Sequence, residues 1–552
     1  MTMFGEFNME QINCDVLIIG GGAAGSRAAY EAKKVHPESV VVMAVAGRYG
    51  YSGSSTFIAS ESLGINAPFN YMNDGDNPDI YYKDTVTTGG ELEDPKLCRV
   101  LADEACDRLE ELMDLGLHFD SKDGHPIQRV LSGCTKARSL TCGGSTGVQM
   151  VRLLKKANDT AGVKVIEGVR IVELLKNNDG EVCGALGFIE GKTILFNAGA
   201  VVLATGGAGR MFRKNVNPPS LEGDGWAMAY ESGAKLVNME FFQVGPAVMS
   251  PKIDFIIHSH MWRFQPKLTN RKGEEFLSKY CPKGVSVEEV IDAKAMSYPF
   301  SVRTVAKYLD IAIFKQIMNG CATENDGVFF DVTHISEERF KKQSPITYET
   351  LKKAGADLTK DKIEVGLVVQ NFNGGILIDE NGFTGVPGLF AAGEVTGGVH
   401  GADRPGGNNL TDTQVFGYRA GRSAAQYAVR PEKNRQCKAD VDTASSKDAD
   451  ERETGILHIA EDLYYCKMTI VRDGQGVQDV LDFIEENTSE SNSVVLRNRL
   501  LVGRIIALSI LTREESRGTH YREDFPDTDP SWNRRIIISR GSNGEPDILI
   551  EE

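Results

Sequence analysis

The chain has no two cysteines close enough to share a metal cluster. Its ten cysteines stand at positions 14, 98, 106, 134, 142, 183, 281, 321, 437 and 466, and no pair has C-x-x-C spacing. Iron–sulfur clusters and structural zinc need closely spaced thiolates, so no metal centre is expected within the chain. Scattered single cysteines read instead as buried thiols in a reducing compartment. Long apolar runs are also missing: none approaches the ~18 residues of a membrane-spanning helix. Met1 to Asn13 lacks the basic and apolar regions of a secretory signal. The expectation is a cytoplasmic protein with no membrane span of its own.

Positive charge is in short supply too. The chain carries 61 Lys and Arg against 77 Asp and Glu, a net charge of −16. So acidic a surface disfavours nucleic acid, whose binding draws on cations meeting phosphates. It also disfavours anionic lipid, although one cleft can still hold a small anion. Apolar residues at 41% and charged residues at 25% are ordinary for a globular protein. At roughly 150 residues per domain, the length suggests about three or four domains. Glycine is the residue in excess, at 58 of 552, with no G-X-Y period, which excludes collagen.

The glycines cluster. Cys14 to Gly20 is a short β-branched run of the kind that forms a buried parallel strand. Gly20-Gly21-Gly22-Ala23-Ala24-Gly25 follows, then a helical Ser26–Lys34 and a second apolar run, Val40–Val45. Strand, glycine turn, helix and strand within about 30 residues fit a dinucleotide site. Gly20 makes the turn, Gly22 lets backbone approach a pyrophosphate, and Gly25 lets the helix pack on the strand. The helix N-terminus offers free N–H groups to the phosphates. One feature is wrong: the acid expected at the end of the second strand, on the ribose hydroxyls, is Ala44.

Three further segments repeat the strand-into-glycine pattern. They are 198–209, which contains Thr205 and Gly206, then 388–394, ending in Glu394, and 400–410, HGADRPGGNNL. With GDGWAMAYESGA, LTNRKGEEFL and SRGTHYREDFP, they resemble in content and order the flavoprotein subunit family of succinate dehydrogenase and fumarate reductase. That family also includes L-aspartate oxidase and the flavoprotein subunit of adenylylsulfate reductase. The matching stretches run from residue 15 to residue 526.

The resemblance implies an α/β fold: a Rossmann-like FAD-binding domain, an inserted α+β capping domain and a C-terminal helical domain. The FAD domain is expected at 1–240 and 355–432, the cap at 241–354, a surface linker at 433–453, and the helical part with an extended polar tail at 454–552. FAD is expected on Gly20, Gly22, Ala24 and Gly25, on Ser54 and Ser55 after the second strand, and on Thr205 and Gly206. Asp224 joins the nucleotide wall and Glu394 the flavin. Asn409 and Leu410 pass the isoalloxazine ahead of a helix starting near Thr411. Membrane-bound relatives link FAD to a histidine after the second strand. Here no histidine stands between His36 and His118, so FAD is expected to be non-covalent.

The resemblance also assigns two arginines. Arg404 matches the substrate-carboxylate arginine, and Arg303 stands where the family carries its proton-delivering arginine. Other substrate contacts of the dicarboxylate enzymes are gone: Gly245 replaces a histidine, His258 and Ser259 replace a Thr-Glu pair, and Gln370 replaces a second histidine. A site built to bond a group rejects substrates that lack it, and the converse holds, so succinate and fumarate are not the expected substrates. His258 and His260, two apart and so on one side of a strand, are candidate replacements for binding an anion or moving protons. The expected activity is hydride exchange between flavin and a small anion, reducing a C=C bond or the reverse. An iron–sulfur or ferredoxin-like partner is expected to carry electrons. The alternative is an electron-transfer flavoprotein subunit of the adenylylsulfate reductase kind, working with a separate iron–sulfur protein.

Overall fold

The structure, a computed structural model, describes residues 10–56, 64–430, 449–489 and 492–551. Most of the expected linker, 433–448, lies outside the described residues, as do residues 57–63.

A seven-stranded sheet forms the centre. Strand β1 (Glu10–Ile19) leads into helix α1 (Ala23–Val35) and strand β2 (Val41–Val45), as the motif requires. Then come β3 (Lys164–Glu167), β4 (Arg170–Lys176), β5 (Val182–Ile189) and β6 (Lys192–Leu203), in spatial order β3-β2-β1-β6-β5-β4. The short strand Leu389–Ala391 pairs with β6. β1, β2, β3, β6 and Leu389–Ala391 run parallel, and β5 runs antiparallel to both of its neighbours, β6 and β4. β-branched runs buried on both faces suit this interior: Val16 to Ile19 and Val41 to Val45 are all buried.

Register places the site. Ile19 pairs with Ala44 and with Leu203, and Leu203 pairs with Ala391. The carboxyl ends of four strands therefore meet at one edge, and three of them run straight into glycines 20, 206 and 393. In open α/β sheets this edge is where ligands bind. Gly20 takes φ +115°, and a Cβ on Gly25 would lie 2.0 Å from the Gly20 carbonyl oxygen. Only glycine fits there, so helix and strand meet as read from the motif.

A four-stranded sheet joins Phe242–Ser250, Ile363–Phe372, Val328–Asp331 and Lys267–Thr269. After it, helix α2 (Asn408–Ala428) lies against α1 and returns the chain to the FAD domain. Helices α3 (Glu451–Met468), α4 (Gly474–Thr488) and α5 (Val494–Thr512) form the C-terminal helical part.

Four expectations need correction. The tail is not simply extended and polar: Ile536–Arg540 and Pro546–Ile550 form a hairpin, and the first of these pairs with Leu236–Val237 inside a five-stranded sheet. Upstream of the hairpin, buried Arg513 donates to Glu240 at 2.7 Å, tying the tail to the cap entrance. Helix α2 begins at Asn408 rather than near Thr411. His258 and His260 are not on a strand: they open a four-residue helix, Ser259–Trp262, with His258 as its N-cap. Finally, eight cysteines carry no disulfide among the described residues, and Cys14, Cys98 and Cys142 of these are buried, but Cys183 is disulfide-bonded. Among the described residues no helix is long and apolar enough to cross a membrane.

Candidate active site

A cavity of about 520 Å³ opens at the carboxyl edge of the central sheet. It gathers residues scattered from Ile19 to Thr413 in the chain. Gly20, Gly22, Ala24, Ser54, Ser55, Thr205, Gly206 and Asp224 line it, as do Glu394, Asn409, Leu410, Arg404 and His258. Gly25 packs beneath the turn and does not line it, and neither do Arg303 and His260.

The dinucleotide end fits FAD on three observations. α1 starts at the cavity with Gly22 as its N-cap, which brings no capping side chain. Ser55 Oγ accepts from Ala23 N–H at 3.3 Å, and the rest of the first turn is left for phosphate oxygens. A Cβ on Gly22 would meet only Ser55 Oγ, at 3.7 Å, so space is open above the turn. Ser54 Oγ and Thr205 Oγ1 are buried and have no hydrogen-bond partner among the described residues. Buried hydroxyls are rarely left so, and a bound cofactor would satisfy them.

The structure offers other acids at the end where Ala44 stands. Val169 N–H bonds the Val45 carbonyl at 3.2 Å, which sets β4 beside the end of β2. Arg170, next along β4, reaches Asp224 at 2.8 Å and Glu222 at 2.6 Å, and all three line the cavity. Asn498, on α5, donates to the other Asp224 oxygen at 3.0 Å, and Arg499 pairs with Glu222. Asp224 is the first residue of its helix, Asp224–Glu231, and the N-cap is Gly223. Arg170, Glu222, Asn498 and Arg499 escape sequence reasoning, because no local spacing joins residues so distant along the chain.

The other end of the cavity, where the resemblance expects the flavin, is built on α2. Its N-terminus, with Gly407 at φ +89° as N-cap, is presented to the cavity by Asn409, Leu410 and Thr413. A buried network holds that start: Asn66 Nδ2 donates to Asn408 Oδ1 at 2.7 Å, and Tyr81 OH donates to the same oxygen at 2.9 Å. Glu394 accepts from Phe372 N–H at 3.1 Å. Burial pushes its carboxyl up to about 7, with the Phe372 amide pulling the other way.

Arg404 is desolvated beside it. Nη2 donates to Gln243 Oε1 at 2.8 Å and Nη1 to the Pro405 carbonyl at 3.2 Å, while Nε has no partner among the described residues. Burial lowers its pKa from the usual arginine value, and Asp403 and Glu394 oppose the shift. Gln243 Nε2 donates to Asp403 Oδ1 at 3.3 Å, and Asp403 pairs through Oδ2 with Arg303 at 2.9 Å. Arg303 thus stands outside the cavity wall, one carboxylate away from it. Asp403 and Gln243 lie inside recognised motifs, yet nothing in their spacing announces this bridge.

His258 is buried, and burial pushes its pKa down to about 3, with His260 beside it adding to the effect. Burial thus disfavours its charged form. His260 instead bonds Thr347 at 3.3 Å. Tyr298 lies against His258, with ring centroids 5.0 Å apart, and Gln370 Nε2 donates to its hydroxyl.

Comparison with known proteins agrees with this geometry. Residues 15–410 match the family described as FAD binding domain, and 467–552 match Fumarate reductase flavoprotein C-term. The chain is 34% identical to a subunit of fumarate reductase (CoM/CoB) from Methanothermobacter marburgensis, over 96% of this chain and 98% of that one. It is 28% identical to L-aspartate oxidase from Caulobacter vibrioides, over 95% of this chain and 96% of that one. The structure of Mycobacterium smegmatis Sdh1 in complex with UQ1 superposes with a TM-score of 0.86 at 28% identity, covering 99% of this chain and 95% of that one. The chain therefore belongs to the FAD-dependent oxidoreductases of the fumarate reductase and succinate dehydrogenase flavoprotein type.

Proposed function

We propose that this flavoenzyme exchanges hydride with a small anionic substrate and that Arg404 clamps the anion. The observation that carries the reading is the half-buried guanidinium lining the cavity, whose buried Nε–H has no partner among the described residues. A desolvated cation with a spare donor is costly unless an anion completes it. When bound, FAD supplies or accepts the hydride. Arg404 then orients the substrate, and the α2 N-terminus favours negative charge on the cofactor beside it. Arg303, exposed on one side and paired with buried Asp403 on the other, exchanges the proton with solvent.

The proposed reaction is reduction of an activated C=C bond or its reverse. The chain's scattered cysteines offer no cluster spacing, so electrons are proposed to pass through a separate iron–sulfur or ferredoxin-like protein. The M. marburgensis relative, named a fumarate reductase subunit, favours fumarate as a second reading. The cavity wall argues against it: Tyr298, Gln370 and His258, whose charged form burial disfavours, give no cation for a second carboxylate. A dye-linked assay separates the two. Brisk fumarate reduction by the dye-reduced holoenzyme supports the second reading, and weak or absent turnover supports the first.

A further inference from the structure

Apart from Arg404, the described cavity lining at this end offers no second cation to a ligand. Among the described lining residues, Arg404 is the one cation at this end, since Arg170 is held by Asp224 and Glu222 at the other. The same cavity is lined by Tyr298, Gln370, His258, Ile256, Leu131 and Pro299. Burial disfavours the charged form of His258. Lys294, whose ammonium lies 5.6 Å from the Tyr298 ring centre, is buried with Asp310 at 2.6 Å. It is already neutralised and out of reach of a ligand.

Tyr298 shapes this wall. Its hydroxyl accepts from Gln370 Nε2 and donates to the Pro246 carbonyl at 3.5 Å, so its proton is already engaged. Burial raises its pKa, which keeps the phenol neutral. The room for it comes from Gly245. A Cβ there would stand 2.9 Å from the Tyr298 oxygen, 3.0 Å from Gln370 Nε2 and 3.0 Å from Tyr298 Cζ. Gly245 and Tyr298 are a matched pair, and a side chain at 245 requires the ends of Tyr298 and Gln370 to shift.

A dicarboxylate placed with one end on Arg404 would bring its second charge against this wall. An unpaired buried carboxylate costs several kcal/mol, whereas an apolar or neutral group there is favourable. Resting on the assignment of Arg404 as the anion clamp, we propose that the substrate is a monocarboxylate. Its single carboxylate bonds Arg404, its uncharged remainder lies against Tyr298 and Ile256, and Tyr298 sets the preference against a second charge.

The test is equilibrium binding to the FAD-loaded enzyme, by calorimetry and by perturbation of the flavin spectrum. The probes are the saturated acids butanoate, 3-phenylpropanoate and succinate, none of which needs to turn over. At least one monoacid is expected to bind about tenfold or more tighter than succinate. Succinate binding as tightly as both, or neither monoacid binding, overturns the proposal. The double substitution Gly245→His with Tyr298→Ala, checked for FAD content, is expected to erase the preference. If the preference survives in a folded double variant, Tyr298 is not its source. Arg404→Gln separates this inference from the reading beneath it. If Arg404→Gln weakens succinate and the monoacids alike and succinate still wins in the wild type, only the monocarboxylate proposal fails. If Arg404→Gln weakens none of them, the clamp itself is wrong and the proposal falls with it.

Discussion

Both Nε and Nη2 of Arg303 donate to one carboxylate oxygen of Asp403, at 3.1 and 2.9 Å. The other oxygen of Asp403 accepts from Gln243, whose amide oxygen receives Arg404. Two arginines with separate proposed roles are therefore joined through one buried acid and one amide. If the pair works as a unit, Arg303→Ala and Asp403→Asn should each lower turnover by roughly 100-fold, within the range for a positioned proton-transfer group. The double variant should be no worse than the poorer single variant. Steady-state rates, each with FAD content measured, check this. Losses that simply multiply would show that the two act independently.

Arg404→Gln should keep the FAD and lose the substrate. The expected change is a fall of at least about 100-fold in kcat/KM, because a desolvated charge-assisted contact is removed. A flavin spectrum and stoichiometry matching the wild type would show that the cofactor end is intact. A variant that loses FAD as well would place Arg404 in cofactor binding instead.

The nucleotide end makes its own prediction. Asp224→Ala leaves Arg170 with Glu222 alone and Asn498 without its acceptor. Loss of one partner from a partly buried charge network costs on the order of 1–3 kcal/mol, so FAD should bind roughly tenfold or more weakly. Fluorescence titration of apoprotein with FAD measures it. Unchanged affinity would remove Asp224 from the cofactor wall.

Glu394 gives a pH dependence of definite sign. Burial raises its pKa from the ordinary 4.5 to about 7. A carboxyl raised in the folded state contributes stability that is fully present below pH 4.5 and is lost as pH rises through about 7. Glu93, which burial also pushes up to about 7, acts in the same direction. Glu394→Gln should therefore match the parent near pH 4.5 and exceed it at pH 8, by up to about 3 kcal/mol. Denaturant unfolding of the FAD-free proteins at both pH values checks this. An equal difference at the two would contradict it.

Non-covalent attachment is tested most simply. Acid precipitation should release all the yellow chromophore into the supernatant, because no histidine lies between His36 and His118. Flavin retained on the pellet would point to another attachment residue.

What is legible in the sequence is what is local. The Gly20–Gly25 turn joins strand and helix within one short segment, and the long motif around Arg404 carries its own context. The bridge from Arg170 to Asp224 and Asn498 is not legible, because it joins β4, a helix start and the C-terminal helices. Tyr298 stays hidden for a similar reason. Its place is set by Gly245 on a distant strand, and only the folded geometry shows that the missing side chain and the tyrosine occupy the same space. The hairpin at 536–550 has a local signal, since Ile536-Ile-Ile and Ile548-Leu-Ile flank a Gly-Ser-Asn-Gly turn, but the charged residues around it give the tail a polar composition. For His258 and His260, a spacing of two puts side chains on one face only where a strand exists, and the chain here turns into a short helix.

The central claim is that Arg404 holds an anion inside the flavin cavity. Titrating the FAD-loaded protein with a small carboxylate while following the flavin absorbance measures it directly, in wild type and in Arg404→Gln at equal FAD content. The account predicts a saturable spectral shift in the wild type and none, or one needing at least about tenfold more ligand, in the variant. The same shift at the same concentration in both would contradict it.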